Sequence, residues 1–98
     1  MGYRSDILKV RERLSEAAIL EQMAEECTEL AQALLKKARK LRNENYTPKT
    51  LDEITASINE EMADVSLCAT VLEMHPDYFI KTEKLQRWVS RLEGTSDE

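Results

Sequence analysis

The sequence predicts an all-α protein: a bundle of four helices, or five if the connecting loop adds a turn. Three observations predict it. Only two Gly and two Pro interrupt 98 residues, too little turn chemistry for a many-stranded sandwich or barrel. Apolar residues recur at spacings of three and four along most of the chain. Long stretches are built from Ala, Leu, Glu, Gln and Lys, all strong helix formers. Hydrophobic residues at 42% and charged residues at 34% suit a folded chain rather than a disordered one. The length allows one core, so residues 1–98 are expected to form a single domain.

The first helix is expected from Ser5 to about Leu14, with Ser5 as its N-cap and Ile7, Leu8, Val10 and Leu14 apolar. Ser15 can cap the second, which runs from Glu16 to about Leu41 without Gly or Pro. There Leu20, Met23, Cys27, Leu30 and Leu34 form one apolar stripe. The polar stretch 42–48 is the clearest loop. Pro48 disfavours helix at Thr47, so the third helix starts at Thr47 or at Thr50. Thr50 and Glu53 have capping-box spacing. This helix should reach about Met74 and stop at His75-Pro76. Asp77 can cap a last helix from about Tyr78 to Leu92, and residues 93–98 read as a frayed tail.

Composition excludes several function classes. Nineteen acids against fourteen bases give a net charge of −5, which argues against stable nucleic-acid binding. Cys27 and Cys68 make no disulfide framework, and with His75 as the one histidine there is no zinc pattern. No run of eighteen apolar residues predicts a membrane span, and the segment MGYRSDILKVRER lacks a signal-type apolar run. A cytoplasmic protein with reduced thiols is expected. Both cysteines fall on apolar faces and read as core.

The chemistry is expected where apolar rows are interrupted by acids. In the third helix, Leu51, Ile54, Ile58, position 61, Val65, Cys68 and Leu72 step by three and four. Position 61 is Glu61, and Asp64 lies about 60° round the helix from it. In the second helix, Ile19, Met23, position 26, Leu30 and Ala33 form a similar row. Position 26 is Glu26, with Glu29 three residues on and Glu25 within one turn of Glu29. If the two helices pack antiparallel, four carboxylates meet in one half-buried cluster. Such a cluster repels itself without a hard divalent cation, and Mg²⁺ prefers carboxylate oxygens with phosphate and water as remaining ligands. That points to phosphate-ester or phosphoanhydride chemistry. A di-iron bundle wants Glu-x-x-His on two helices and fails here for lack of histidines.

These residues resemble a known family. Gln22-Met23-Ala24-Glu25-Glu26-Cys27-Thr28-Glu29-Leu30 looks like the EExxE motif of the MazG-like all-α nucleoside triphosphate pyrophosphohydrolases. Glu60-Glu61-Met62-Ala63-Asp64-Val65 looks like their ExxD motif, and the stretch from Lys84 to Leu92 is similar to their basic last helix. The 31 residues between Glu29 and Glu61 are long for the family, which fits an extended loop around Pro48. The resemblance implies Mg²⁺-dependent cleavage (Mn²⁺ as a possible substitute) of a (d)NTP to the monophosphate and pyrophosphate. It implies Glu26, Glu29, Glu61 and Asp64 as metal ligands, with Glu25 as an outer acid or base orienting the attacking water. Lys84 and Arg87 match basic positions that contact phosphates, and Lys36 and Arg39 are weaker candidates.

Trp88 can stack on a base or pack in the core or between subunits. The apolar faces exceed what one chain can cover, and the resemblance also suggests a homodimer or a dimer of dimers. Two rivals use the same residues differently. One is a non-enzymatic helical adaptor whose acids are surface charge. The other is a nucleotide sensor of the same fold that does not cleave.

Overall fold

The computed structural model describes residues 2–44, 46 and 48–94. Four helices follow one another: α1 (Tyr3–Arg13), α2 (Glu16–Leu41), α3 (Leu51–Val71) and α4 (Tyr78–Leu92). Among the described residues there is no strand. The all-α expectation therefore holds, with four helices and no fifth in the described part of the loop.

The helix ends explain where the chain turns. Ser15 caps α2 by accepting the Ala18 N–H at 3.1 Å. Thr50 and Glu53 form a full capping box at the start of α3, which selects Thr50 over Thr47 as the boundary; Thr47 itself lies outside the described residues. The Asp77 carboxylate accepts the N–H groups of Phe79 and Ile80 and starts α4.

Two boundaries differ from the sequence reading. Helix α1 begins at Tyr3 rather than Ser5, with Gly2 at the cap position and no side-chain cap, because the Asp6 N–H reaches back to the Gly2 carbonyl at 3.1 Å. Helix α3 ends at Val71, short of Met74. Glu73 adopts a left-handed φ of 57°, and the Met74 N–H donates to the Ala69 carbonyl at 2.9 Å. That 6→1 bond closes the helix before His75-Pro76 is reached. Asn43 (φ 56°) ends α2 in the same way, with the Glu44 N–H donating to the Arg39 carbonyl at 3.0 Å.

Helices α2 and α3 pair as an antiparallel hairpin. Ile19 packs in one cluster with Val71, and Ala33 shares a cleft with Ile54, so positions rise along α2 as they fall along α3. The row Ile19, Met23, Glu26, Leu30 and Ala33 is buried or half-buried throughout, and so is the α3 seam from Ile54 to Leu72. Leu51, at the seam's first position, is exposed. The other α2 stripe does not face the hairpin: Leu20, Cys27 and Leu34 are exposed, and only Met23 and Leu30, which both rows share, are covered. Cys27 is therefore not core in this chain. Helix α1 lays Ile7 against Ile19 and Val71, while Leu8, Val10 and Leu14 stay exposed.

Helix α4 stands off. None of its residues is buried, Trp88 is 59% exposed and Phe79 is 81% exposed. The radius of gyration is 17.7 Å, against about 13 Å for a compact chain of this length. In one chain the last helix does not complete a closed four-helix core.

Arg11 ties α1 to the end of α3. Its Nε donates to the Val71 carbonyl at 2.7 Å and its Nη2 to the Thr70 carbonyl at 3.3 Å. Helix α3 has no basic residue in its own last turn, so Arg11 supplies the cation that its C-terminal dipole lacks. Replacing Arg11 by Met should cost about 1–2 kcal/mol in urea unfolding. The exposed Arg13→Met change should stay within about 0.5 kcal/mol. Equal effects would contradict the bridging role.

Candidate functional site

The hairpin brings the predicted acids together between two apolar plugs. Ile19 and Val71 close one end and Ala33 and Ile54 the other. Glu26 lies seven residues from Ile19 and seven from Ala33, about 10 Å along the axis in each direction. One carboxylate oxygen from each of Glu26, Glu29 and Glu61 lies within 4.8 Å of the others. Asp64 of α3 is exposed and is not part of this triad; it bears on the cluster through Glu26, whose proton affinity it raises. Glu25 is exposed and contributes no oxygen to the triad.

Proximity shows in the proton affinities. The hydrogen bond with Asp64 comes first, then desolvation, then the charges of Asp64 and Glu29; together they push the Glu26 carboxyl up to about 7. The amide of Gln22 opposes this in part by donating to Glu26 Oε1 at 3.1 Å. Desolvation, followed by the charges of Glu29, Asp64 and Glu60, also raises Glu61. Its Oε2 is buried and has no hydrogen-bond partner. A buried carboxylate oxygen without a donor is costly, and a proton or a cation would offset that cost. All four groups are oxygen donors, the set that suits Mg²⁺ or Mn²⁺.

Cys68 sits beside the cluster. Burial, with the Glu26 and Asp64 carboxylates, pushes its thiol up. It is therefore poorly suited to act as a nucleophile.

A cleft of about 170 Å³ opens from Glu29 and Glu61 toward the start of α3. Lys36, a weaker candidate from the sequence, lines it. Gln32, Lys49 and Ser57 line it too, and these the sequence reading missed. Gln32 lies three residues beyond Glu29, and Ser57 four before Glu61, so helical periodicity could have found both. Lys49 is in the connection, where no periodicity reports a side chain's direction. Lys84, Arg87 and Trp88 are on α4 and exposed, and none of them lines this cleft. Arg87 pairs with Glu83 at 3.5 Å.

No family model, curated protein or solved structure matches this chain.

The raised Glu26 gives a pH dependence with a definite sign. Its folded value of about 7 exceeds its ordinary 4.5. Its stabilising contribution is therefore full below 4.5 and is lost as pH rises through about 7. In protein stripped of divalent ions, Tm should fall between these limits, and Glu26→Gln should flatten the fall. An unchanged slope in that variant would contradict the coupling.

Proposed function

We propose that this chain is a Mg²⁺-dependent nucleoside triphosphate pyrophosphohydrolase of the MazG-like kind, converting a (d)NTP and water to the monophosphate and pyrophosphate. The observation that carries the reading is the carboxylate triad with a buried, unpartnered oxygen on Glu61. The EExxE and ExxD motifs supply its residues, and the lysine-lined cleft beside it supports an anionic substrate.

Glu26, Glu29 and Glu61, with Asp64, would hold the ion. When bound, Mg²⁺ neutralises phosphate charge and lowers the pKa of a water. The chain's residues do the rest. The carboxylates would aim a water at the α phosphorus, and Glu25, at the solvent edge, would accept its proton. The bond from water oxygen to phosphorus forms as the bond from phosphorus to the bridging oxygen breaks. The electron pair of that bond leaves on pyrophosphate.

The site also explains why few other side chains are needed. Phosphoryl transfer depends mostly on positioning and charge neutralisation, and a fixed set of carboxylates provides the first of these. With a nucleotide substrate, the working protein would act in the cytoplasm. No helix among the described residues is long and apolar enough to cross a membrane.

The same reading includes a homodimer or a dimer of dimers. Among the described residues Ile7, Ile19, Ala33, Ile54 and Val71 are the buried apolar ones, too small a core for an independent domain. An almost wholly apolar groove of about 340 Å³ lies between α1, α2 and α3, lined by Ile7, Val10, Leu14, Ile19 and Leu67 among others. Helix α4 offers a matching apolar face through Ile80, Leu85, Trp88, Val89 and Leu92. Charge also matches. Helix α3 carries five acids and no base, whereas α4 carries four bases and one acid. Lys84 and Arg87 would reach phosphate where a neighbouring copy's α4 lies across the site.

Two tests follow. Glu61→Gln should abolish Mg²⁺-dependent pyrophosphate release while the helical circular dichroism is kept; normal turnover would refute the assignment. Mg²⁺ should raise Tm, and further with nucleotide. If the acids are surface charge, Mg²⁺ changes nothing and Glu61→Leu stabilises the protein by filling the seam. In sedimentation, the wild type should exceed monomer mass and Trp88→Glu should return it to monomer with its helices intact. A monomeric wild type would overturn the assembly.

A further inference from the structure

The cleft beside the acids has an arrangement that a metal site alone does not require. Its floor is made by Ala33 and Ile54, both buried. Ala33 presents a single methyl group, which leaves room above Ile54. Glu29 and Glu61 stand at one end. Lys36, two turns beyond Glu29 on the same face of α2, lines the other arm. Lys49, immediately before the Thr50 cap of α3, lines the same cleft. Gln32 and Ser57 add neutral hydrogen-bonding groups along it.

The lysines and the acids share this cleft without pairing. Among the described residues, neither Lys36 nor Lys49 has a carboxylate within salt-bridge distance, 4.0 Å. Two lysines that line one cleft without a carboxylate counter-ion favour an anion. The acids a short distance away favour a cation. A metal-bound phosphate chain carries both charges in one ligand, with the metal at one end and free phosphate oxygens beyond it.

We propose that Lys36 and Lys49 form a phosphate-gripping pair that holds the pyrophosphate portion of the substrate and retains it as the leaving group. This rests on the hydrolase reading, and it assigns Lys49, a loop residue outside both acidic motifs, to substrate binding. The orientation follows directly. Pyrophosphate lies along the lysine arm, and the scissile phosphorus sits nearer Glu29 and Glu61. Charge that develops on the leaving oxygen is met by two cations from this chain, before any contribution from α4.

The experiment titrates inorganic pyrophosphate with MgCl₂ into the full chain by calorimetry, alongside a pyrophosphate-release assay. Lys36→Met and Lys49→Met should each weaken pyrophosphate binding about tenfold. Lys49→Arg should retain most of it. Lys9→Met, which removes one exposed charge from α1, should change it less than twofold. Mg²⁺ affinity measured alone should stay within about twofold in the lysine variants, which separates a phosphate role from damage to the acidic cluster. Absence of pyrophosphate binding to wild type, or an unchanged affinity in the double variant, would overturn the proposal. Lysine-dependent pyrophosphate binding in a wild type that releases none from any (d)NTP would support the pair while refuting the hydrolase.

Discussion

Carboxylates held inside a helix–helix interface repel one another and lose solvation, and this hairpin keeps them there. The reason is geometric. Glu26 and Glu61 occupy positions in the inward rows of α2 and α3, so turning either away would also turn out Ile19 and Ala33 or Ile54 and Val71. Those plugs lie on both sides of the acids, about two turns away. The apolar contacts thus fix the helices' rotation, and that rotation holds the acids in register. The raised proton affinities of Glu26 and Glu61 are the electrostatic expression of the same constraint.

Everything that sets the hairpin's register therefore bears on the site. The Ser15 cap, the Thr50–Glu53 capping box and the left-handed Asn43 decide where α2 and α3 start and where α2 stops. Arg11 secures the far end of α3 by bonding the carbonyls of Thr70 and Val71 in its last turn. These are local devices that act before any tertiary core is complete. They matter more here than in a large domain, because the core is small and α4 adds no buried residue to it. Rigidity at the acids comes from helix ends and two apolar plugs rather than from a closed bundle.

The same logic explains how much was legible in the sequence. Spacings of three and four identified the inward rows and the acids interrupting them, because a side chain's direction on a helix is fixed by its number. The alternative α2 stripe through Leu20, Cys27 and Leu34 follows an equally good period but lies outside. Periodicity cannot choose between two adjacent apolar stripes when a helix is apolar over a wide arc. The early end of α3 was hidden for another reason: a left-handed Glu73 carries no residue-type signal, unlike a Gly at the same position. Lys49 was hidden because a loop has no period. Helix α4 was read correctly as an element, but its apolar face could not reveal whether it packs within the chain.

Glu61 is the residue on which the proposed function weighs most. A carboxylate in the middle of an apolar seam opposes folding, since its Oε2 is buried without a donor and an aliphatic side chain there would pack without that cost. Glu26 repeats the problem on the facing helix, and Asp64 and Glu29 sharpen it by adding like charge within reach. Surface charge would not need such placement, since the exposed positions of both helices already hold Glu25 and Glu60. The lysines that could relieve the repulsion by direct pairing lie in the same cleft yet remain apart from the acids. Local rules are broken at one place, in one cluster, with cations held nearby and left unpaired. A ligand that brings its own metal and its own phosphate would satisfy every one of those groups at once.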